Sequence, residues 1–171
     1  QTMKKFILLS VCTLVSLLSF AQTIQYKDKE SETGWQTLNN EDIKPGCLKG
    51  KEALKLSGDF SKFTVKWKNS DDTETDYETG PVIAVCLYKG NFTFPDQVIS
   101  DIDNTSYSNE SLKYVDMSEV TDINSMQYIF VKCFNLKNID FPNCDINSRC
   151  NFGNAFDGCN GLRKADLSMF T

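Results

Sequence analysis

The sequence predicts an α/β or β-rich repeat solenoid carrying a parallel sheet, preceded by a small β-rich N-terminal region. Three observations lead there. Three segments in the last third superpose at nearly constant spacing, two short alternating runs precede them, and a hydrophobic share of 40% over 171 residues is enough to bury a core.

The chain opens with the layout of a secretory signal, counted as residues 1–21 with two extra leading residues. Met3-Lys4-Lys5 precedes the apolar Phe6–Leu9 and Leu14–Leu18, and Ser19-Phe20-Ala21 supplies small residues for cleavage. The apolar run is short for a membrane anchor, so no membrane insertion is expected after cleavage. A lipoprotein reading rests only on Cys12, where bulky Val11 and the continuing apolar sequence disfavour it.

Loss of Lys4 and Lys5 takes the formal charge from −5 to −7, which disfavours nucleic acid as a partner. Histidine is absent, removing Ser-His-Asp and Cys-His catalysis and the commonest zinc ligand. An enzyme is not expected, nor a cofactor or metal.

Residues 22–45 are polar, with Lys27–Glu32 lacking any apolar period, and read as a flexible lead. Residues 46–90 read as a small β-rich region or cap. There Ala53–Ser57 and Phe63–Trp67 are strand-like; Phe63, Val65 and Trp67 alternate with Thr64, Lys66 and Lys68. The acidic stretch 69–80 reads as a solvated hairpin loop, since it lacks the Gly and Glu spacing of a calcium loop. The apolar run Pro81–Tyr88 reads as a buried strand or the strand of a cap.

Residues 91–171 are assigned to the repeats. Leu112–Ser118, Leu136–Pro142 and Leu162–Ser168 superpose at spacings of 24 and 26 residues, and Met126, Phe130 and Cys133 recur as Phe152, Phe156 and Cys159. The pattern F-x-x-C-x-x-L-x-x-Φ-D-Φ-[SP], with Φ apolar, therefore occurs twice. Each copy supplies a short strand whose inward residues flank an outward Asp, as Ile139 and Phe141 flank Asp140. Val115, Ile139 and Ala165 are expected to lie above one another, as are Met117, Phe141 and Leu167. Phe92–Pro95 is a degenerate candidate for an earlier coil, with Lys89 in place of the leading Leu.

The stretch Phe152–Ser168 resembles the unit M-x-x-M-F-x-G-C-x-x-L-x-x-L-D-L-S of BspA-like leucine-rich-repeat bacterial surface proteins. The resemblance covers Leu112 to Thr171. In the copy from Met126 to Pro142, Lys132 replaces the Gly and Pro142 the Ser, and an insertion around Cys144 to Cys150 follows. It implies leucine-rich-repeat coils on a secreted or cell-surface binding or adhesion scaffold, often of gut or oral Bacteroidetes, with host or microbial protein ligands and no catalytic residues. The chain then reads as an N-terminal fragment, truncated part-way through a repeat, with its last coil the least ordered.

The candidate ligand strip is Tyr114, Asp116, Asn138, Asp140, Lys164 and Asp166, the outward positions of the three strands. A purely structural role for the Asp positions competes with recognition, because stacked like charges cost energy unless neighbours compensate. The alternative function is a carbohydrate-binding β module using Trp35, Trp67 or Tyr77, against which Trp67 has the phase of a core residue. Cys133 and Cys159 share one repeat position and are expected to be buried thiols. Cys47 with Cys86, and Cys144 with Cys150, are open to pairing. A four-cysteine zinc site is disfavoured by the absence of paired C-x2-C knuckles.

Overall fold

A computed structural model describes residues 21–69, 71–88, 107–141 and 150–165, with backbone alone at 164 and 165. Among these residues are eight strands and one α-helix: β1 (Thr23–Lys27), β2 (Gln36–Leu38), β3 (Ala53–Phe60), β4 (Thr64–Lys68), β5 (Glu74–Glu78), α1 (Thr79–Leu87), β6 (Tyr114–Ile123), β7 (Asn138–Asp140) and β8 (Lys164–Ala165). The main sheet runs β2-β1-β3-β6-β7-β8, and β4 with β5 forms a separate hairpin. The signal segment before Ala21, Phe92–Pro95, Cys144, Asp166 and Leu167 lie outside the described residues.

The expected leucine-rich-repeat solenoid is corrected by this topology, which is a small mixed, sheet-rich fold. β2, β1 and β3 pair antiparallel, whereas β3, β6, β7 and β8 are parallel. The physical reason lies in the neighbour that β6 takes. Its backbone groups on the side away from β7 are satisfied by β3, which comes from outside the repeats and brings an antiparallel pair with it. The repeats themselves contribute strands of ten, three and two described residues. Their expected register is present within this sheet: Val115 pairs with Ile139, and Ile139 with Ala165.

The polar lead is also not a loose segment. Thr23 to Lys27 pairs residue for residue with Ser57 to Ala53, and Ile24 is buried in the core. Its apolar content is low because only one face points inward, and only Ile24 and Tyr26 are needed there.

Pro81–Tyr88 is the largest departure from expectation, since Thr79–Leu87 forms a helix. Val82, Ile83, Ala84, Val85, Cys86 and Leu87 are all fully buried, and a helix enclosed on every side carries no amphipathic period. β-branched residues then mimic a buried strand. Pro81 sits in the first turn, where its missing N–H leaves no helical bond unmade. Gly80 lets the helix start touch the backbone of Met126 and Gln127; an added Cβ would lie 2.4 Å from the Gln127 carbonyl oxygen.

Val82, Ile83, Cys86 and Leu87 join the inward residues of the sheet, including Leu54, Leu56, Val115, Met117 and Ile139, in one core. Two buried or half-buried asparagines tie loops to it. Asn109 donates to the Leu87 carbonyl at 2.9 Å and accepts from the N–H groups of Ser111 and Leu112. Asn124 donates to the Phe63 carbonyl at 2.7 Å and accepts from the Thr79 hydroxyl and N–H.

In the hairpin, Lys66 stands opposite Asp76 and Lys68 opposite Glu74. Much of the acidic stretch expected to be loop is therefore strand, with Lys66 and Lys68 placed among its carboxylates.

Candidate outer sheet face

Alternation along the strands sends Leu54, Leu56, Val115, Met117 and Ile139 inward, so their neighbours form the opposite face. Pairing then sorts that face into rows. Lys27, Ala53, Tyr114, Asn138 and Lys164 align across five strands. Thr37, Gln25, Lys55, Asp116 and Asp140 form the next row. Ser57 with Thr23 and Glu119 follows, after a register shift between Lys55 and Ser57.

The structure brings Tyr114, Asp116, Asn138 and Asp140 together on this face and places the Lys164 backbone beside Asn138. Asp166 lies outside the described residues. Asp116 and Asp140 stand directly opposite each other, the like-charge juxtaposition that needs compensation. Two groups supply it. The Tyr114 hydroxyl donates to Asp140 Oδ2 at 2.6 Å, and Lys55 Nζ lies 3.6 Å from Asp116 Oδ2 while bonding Glu119 at 2.7 Å. Asp116 Oδ1 also accepts from the Ser118 N–H and hydroxyl.

Burial, followed by the bond to Asp140, pushes the Tyr114 phenol well above its ordinary range, so it stays a donor. The bond to Glu119 leads the effects that raise the Lys55 ammonium. Each exposed pair is worth about 0–1 kcal/mol, so the network's main effect is to fix side-chain positions.

Sequence reasoning missed four members of this face and its rim: Lys55, Glu119, Glu52 and Lys113. The alternation Leu54-Lys55-Leu56 puts Lys55 outward, but no local signal makes β3 the neighbour of β6. At the rim, Glu52 accepts from Lys113 at 3.0 Å, Lys29 at 3.4 Å and the Glu30 N–H at 3.2 Å. The Lys113 bond, with the Glu30 N–H next, lowers the Glu52 carboxyl from 4.5 to about 2.

The aromatic residues are arranged differently. Trp67 is half-buried against the core, with its ring 5.5 Å from Tyr77 at 44°, and Trp35 lies beneath the Lys27 ammonium at 4.6 Å. Each tryptophan ring therefore already has a partner within the chain. Among the described residues no group of three metal-ligating side chains converges, and no helix is long and apolar enough to cross a membrane.

Cys47, Cys86, Cys133, Cys150 and Cys159 are free. Cys133 is fully buried, and the Cys159 thiol donates to the Phe130 carbonyl at 3.0 Å. Burial raises both thiols. Comparison of the chain with family models, with curated proteins and with solved structures gives no match.

Proposed function

We propose that the chain is a secreted or cell-surface binding scaffold, and that its outer sheet face docks a host or microbial protein ligand. The observation that carries this reading is the ordered row Lys55, Asp116 and Asp140, flanked by Tyr114 and Asn138. It presents donors and acceptors whose positions are set by cross-strand bonds. Preorganised side chains cost less entropy on association than free ones, so a polar face of this kind suits recognition. The likeness of the repeat motif to BspA-like surface proteins and the signal-like opening support the same reading. The lack of histidine supports binding over turnover.

The test uses the purified, fluorescently labelled chain on cultured epithelial cells and on intact bacteria. Saturable binding is expected to at least one of them, and to fall in the folded variant carrying Tyr114→Ala, Asp116→Ala and Asp140→Ala. Absence of saturable binding to both cell types, or equal binding by the variant, contradicts the proposal.

A further inference from the structure

Away from the sheet face, the structure holds two thiols against each other across a long stretch of chain. Cys47 lies in the tight turn that follows residues 40–42, and Cys86 lies one residue before the end of α1. Two backbone bonds fix the turn along the helix end: the Gly46 N–H donates to the Val85 carbonyl at 3.0 Å, and the Leu48 N–H to the Cys86 carbonyl at 2.9 Å. The turn itself is closed by bonds from Cys47 N–H to the Lys44 carbonyl and from Lys49 N–H to the Gly46 carbonyl. Gly46 has φ 76°, a left-handed conformation that lets the chain reverse beside Tyr88. These anchors hold Cys47 beside Cys86, close enough for each thiol to influence the protonation of the other.

The exposures of the pair differ. Cys47 is half-buried, whereas Cys86 is fully buried within the core. Cys47 is therefore the more accessible of the two residues.

We propose that Cys47 and Cys86 form a dithiol that closes to an intramolecular disulfide by exchange with an external disulfide. Cys47 is the entry thiol and Cys86 the resolving thiol. In the first step the Cys47 thiolate, its proton lost to solvent, attacks one sulfur of a low-molecular-weight disulfide R–S–S–R. The S–S bond breaks, Cys47 becomes a mixed disulfide and one R–S⁻ leaves. In the second step Cys86 passes its proton to that thiolate and attacks the Cys47 sulfur. The bond between Cys47 and the R group's sulfur breaks, and the second R–S⁻ takes a proton from solvent. Two protein thiols are oxidised and one external disulfide is reduced to two thiols.

The electrostatics agree with this order. The neighbouring Cys86, with backbone N–H groups at Lys44 and Cys47 and the Lys44 charge, holds the Cys47 thiol below its ordinary value against its burial. A larger thiolate fraction at neutral pH favours Cys47 as the attacking group. Cys86 shifts well upward, first because of its neighbour Cys47 and then because it is buried.

Closure would join the turn to the end of α1 and enclose β3, the β4–β5 hairpin and the helix in one covalent loop. In the chain-entropy account such a loop stabilises through the unfolded state.

The test treats the full folded chain with oxidised glutathione, blocks remaining thiols with iodoacetamide and maps unreduced peptides by mass. The expected product is a peptide pair joined through Cys47 and Cys86, lighter by two hydrogens than the reduced pair. The melting temperature should rise by roughly 5–10 °C and return on reduction with dithiothreitol. In Cys86→Ala, Cys47 should retain a glutathione adduct and the rise should vanish; in Cys47→Ala, Cys86 should stay unmodified. Recovery of Cys47 and Cys86 separately alkylated from the wild-type chain overturns the proposal. So does a persistent wild-type glutathione adduct on Cys47, or a link from Cys47 to any other cysteine. The wild-type mapping decides the matter even if a variant fails to fold.

Discussion

Lys132 and Gly158 occupy the same position in successive repeat segments, and both hold a left-handed backbone, with φ of 52° and 75°. Tyr128 and Asn154 repeat the relationship at φ of 60° and 55°. The two segments lie against each other through bonds from the N–H groups of Met126, Tyr128, Phe130 and Lys132 to the carbonyls of Asn151, Gly153, Ala155 and Asp157. The rings of Phe130 and Phe156, another equivalent pair, sit 6.1 Å apart.

A Cβ on residue 132 makes the left-handed conformation costly, whereas glycine adopts it freely. Lys132→Gly should stabilise the fold by about 0.5–1 kcal/mol, after allowing for the added freedom of glycine in the unfolded chain. Gly158→Ala should destabilise it, since the new Cβ would lie 3.1 Å from Lys132 Cα. Urea unfolding of both variants checks the opposite signs.

Gly80→Ala probes the seat of α1. The added methyl would sit 2.4 to 2.7 Å from backbone atoms of Met126 and Gln127, so helix and loop must separate. Overpacking of this kind costs about 1–3 kcal/mol, and rigid backbone on both sides places the expectation at the upper end. A loss below about 0.5 kcal/mol in chemical denaturation would show that the contact yields easily.

Asn109→Ala removes three side-chain hydrogen bonds from a nearly closed site. The Leu87 carbonyl and the Ser111 and Leu112 N–H groups lose their partner, at about 1–3 kcal/mol for each group left buried and unsatisfied. We expect a loss of about 3 kcal/mol or more, visible as a large fall in melting temperature.

Acid stability should report on Glu52. Its carboxyl is lowered in the folded chain, so the folded state binds the proton less readily than the unfolded state. The contribution is complete above about pH 4.5 and is lost as pH falls through about 2. Glu52→Gln should flatten the dependence of melting temperature on pH across that window while leaving its shape near neutrality. An unchanged slope would remove Glu52 from the acid response.

What the sequence makes legible follows from which forces are local. The alternation of Phe63, Val65 and Trp67 announces β4, because one strand face is enough to show it. The recurrence of Val115, Ile139 and Ala165 announces their register, because identical offsets demand identical neighbours. α1 is hidden since total burial erases the helical period that amphipathicity would print. β1 is hidden since a strand with few inward apolar positions resembles a linker. The outer face is half legible: the stacked aspartates follow from the repeats, but Lys55, which compensates Asp116, arrives through a pairing between distant strands.

Docking of a ligand on the outer sheet face is measured by a graded series of equilibrium binding isotherms on the cells that the wild-type chain binds. The series is Tyr114→Phe, Asp116→Asn and Asp140→Asn, with Lys66→Ala on the β4–β5 hairpin as a control and melting curves to confirm folding. At least two of the three face variants should weaken binding by about tenfold or more, equivalent to about 1.4 kcal/mol, while the hairpin control binds as the wild type does. Face variants that bind as tightly as the wild-type chain, or a hairpin variant that loses as much, would contradict docking on this face.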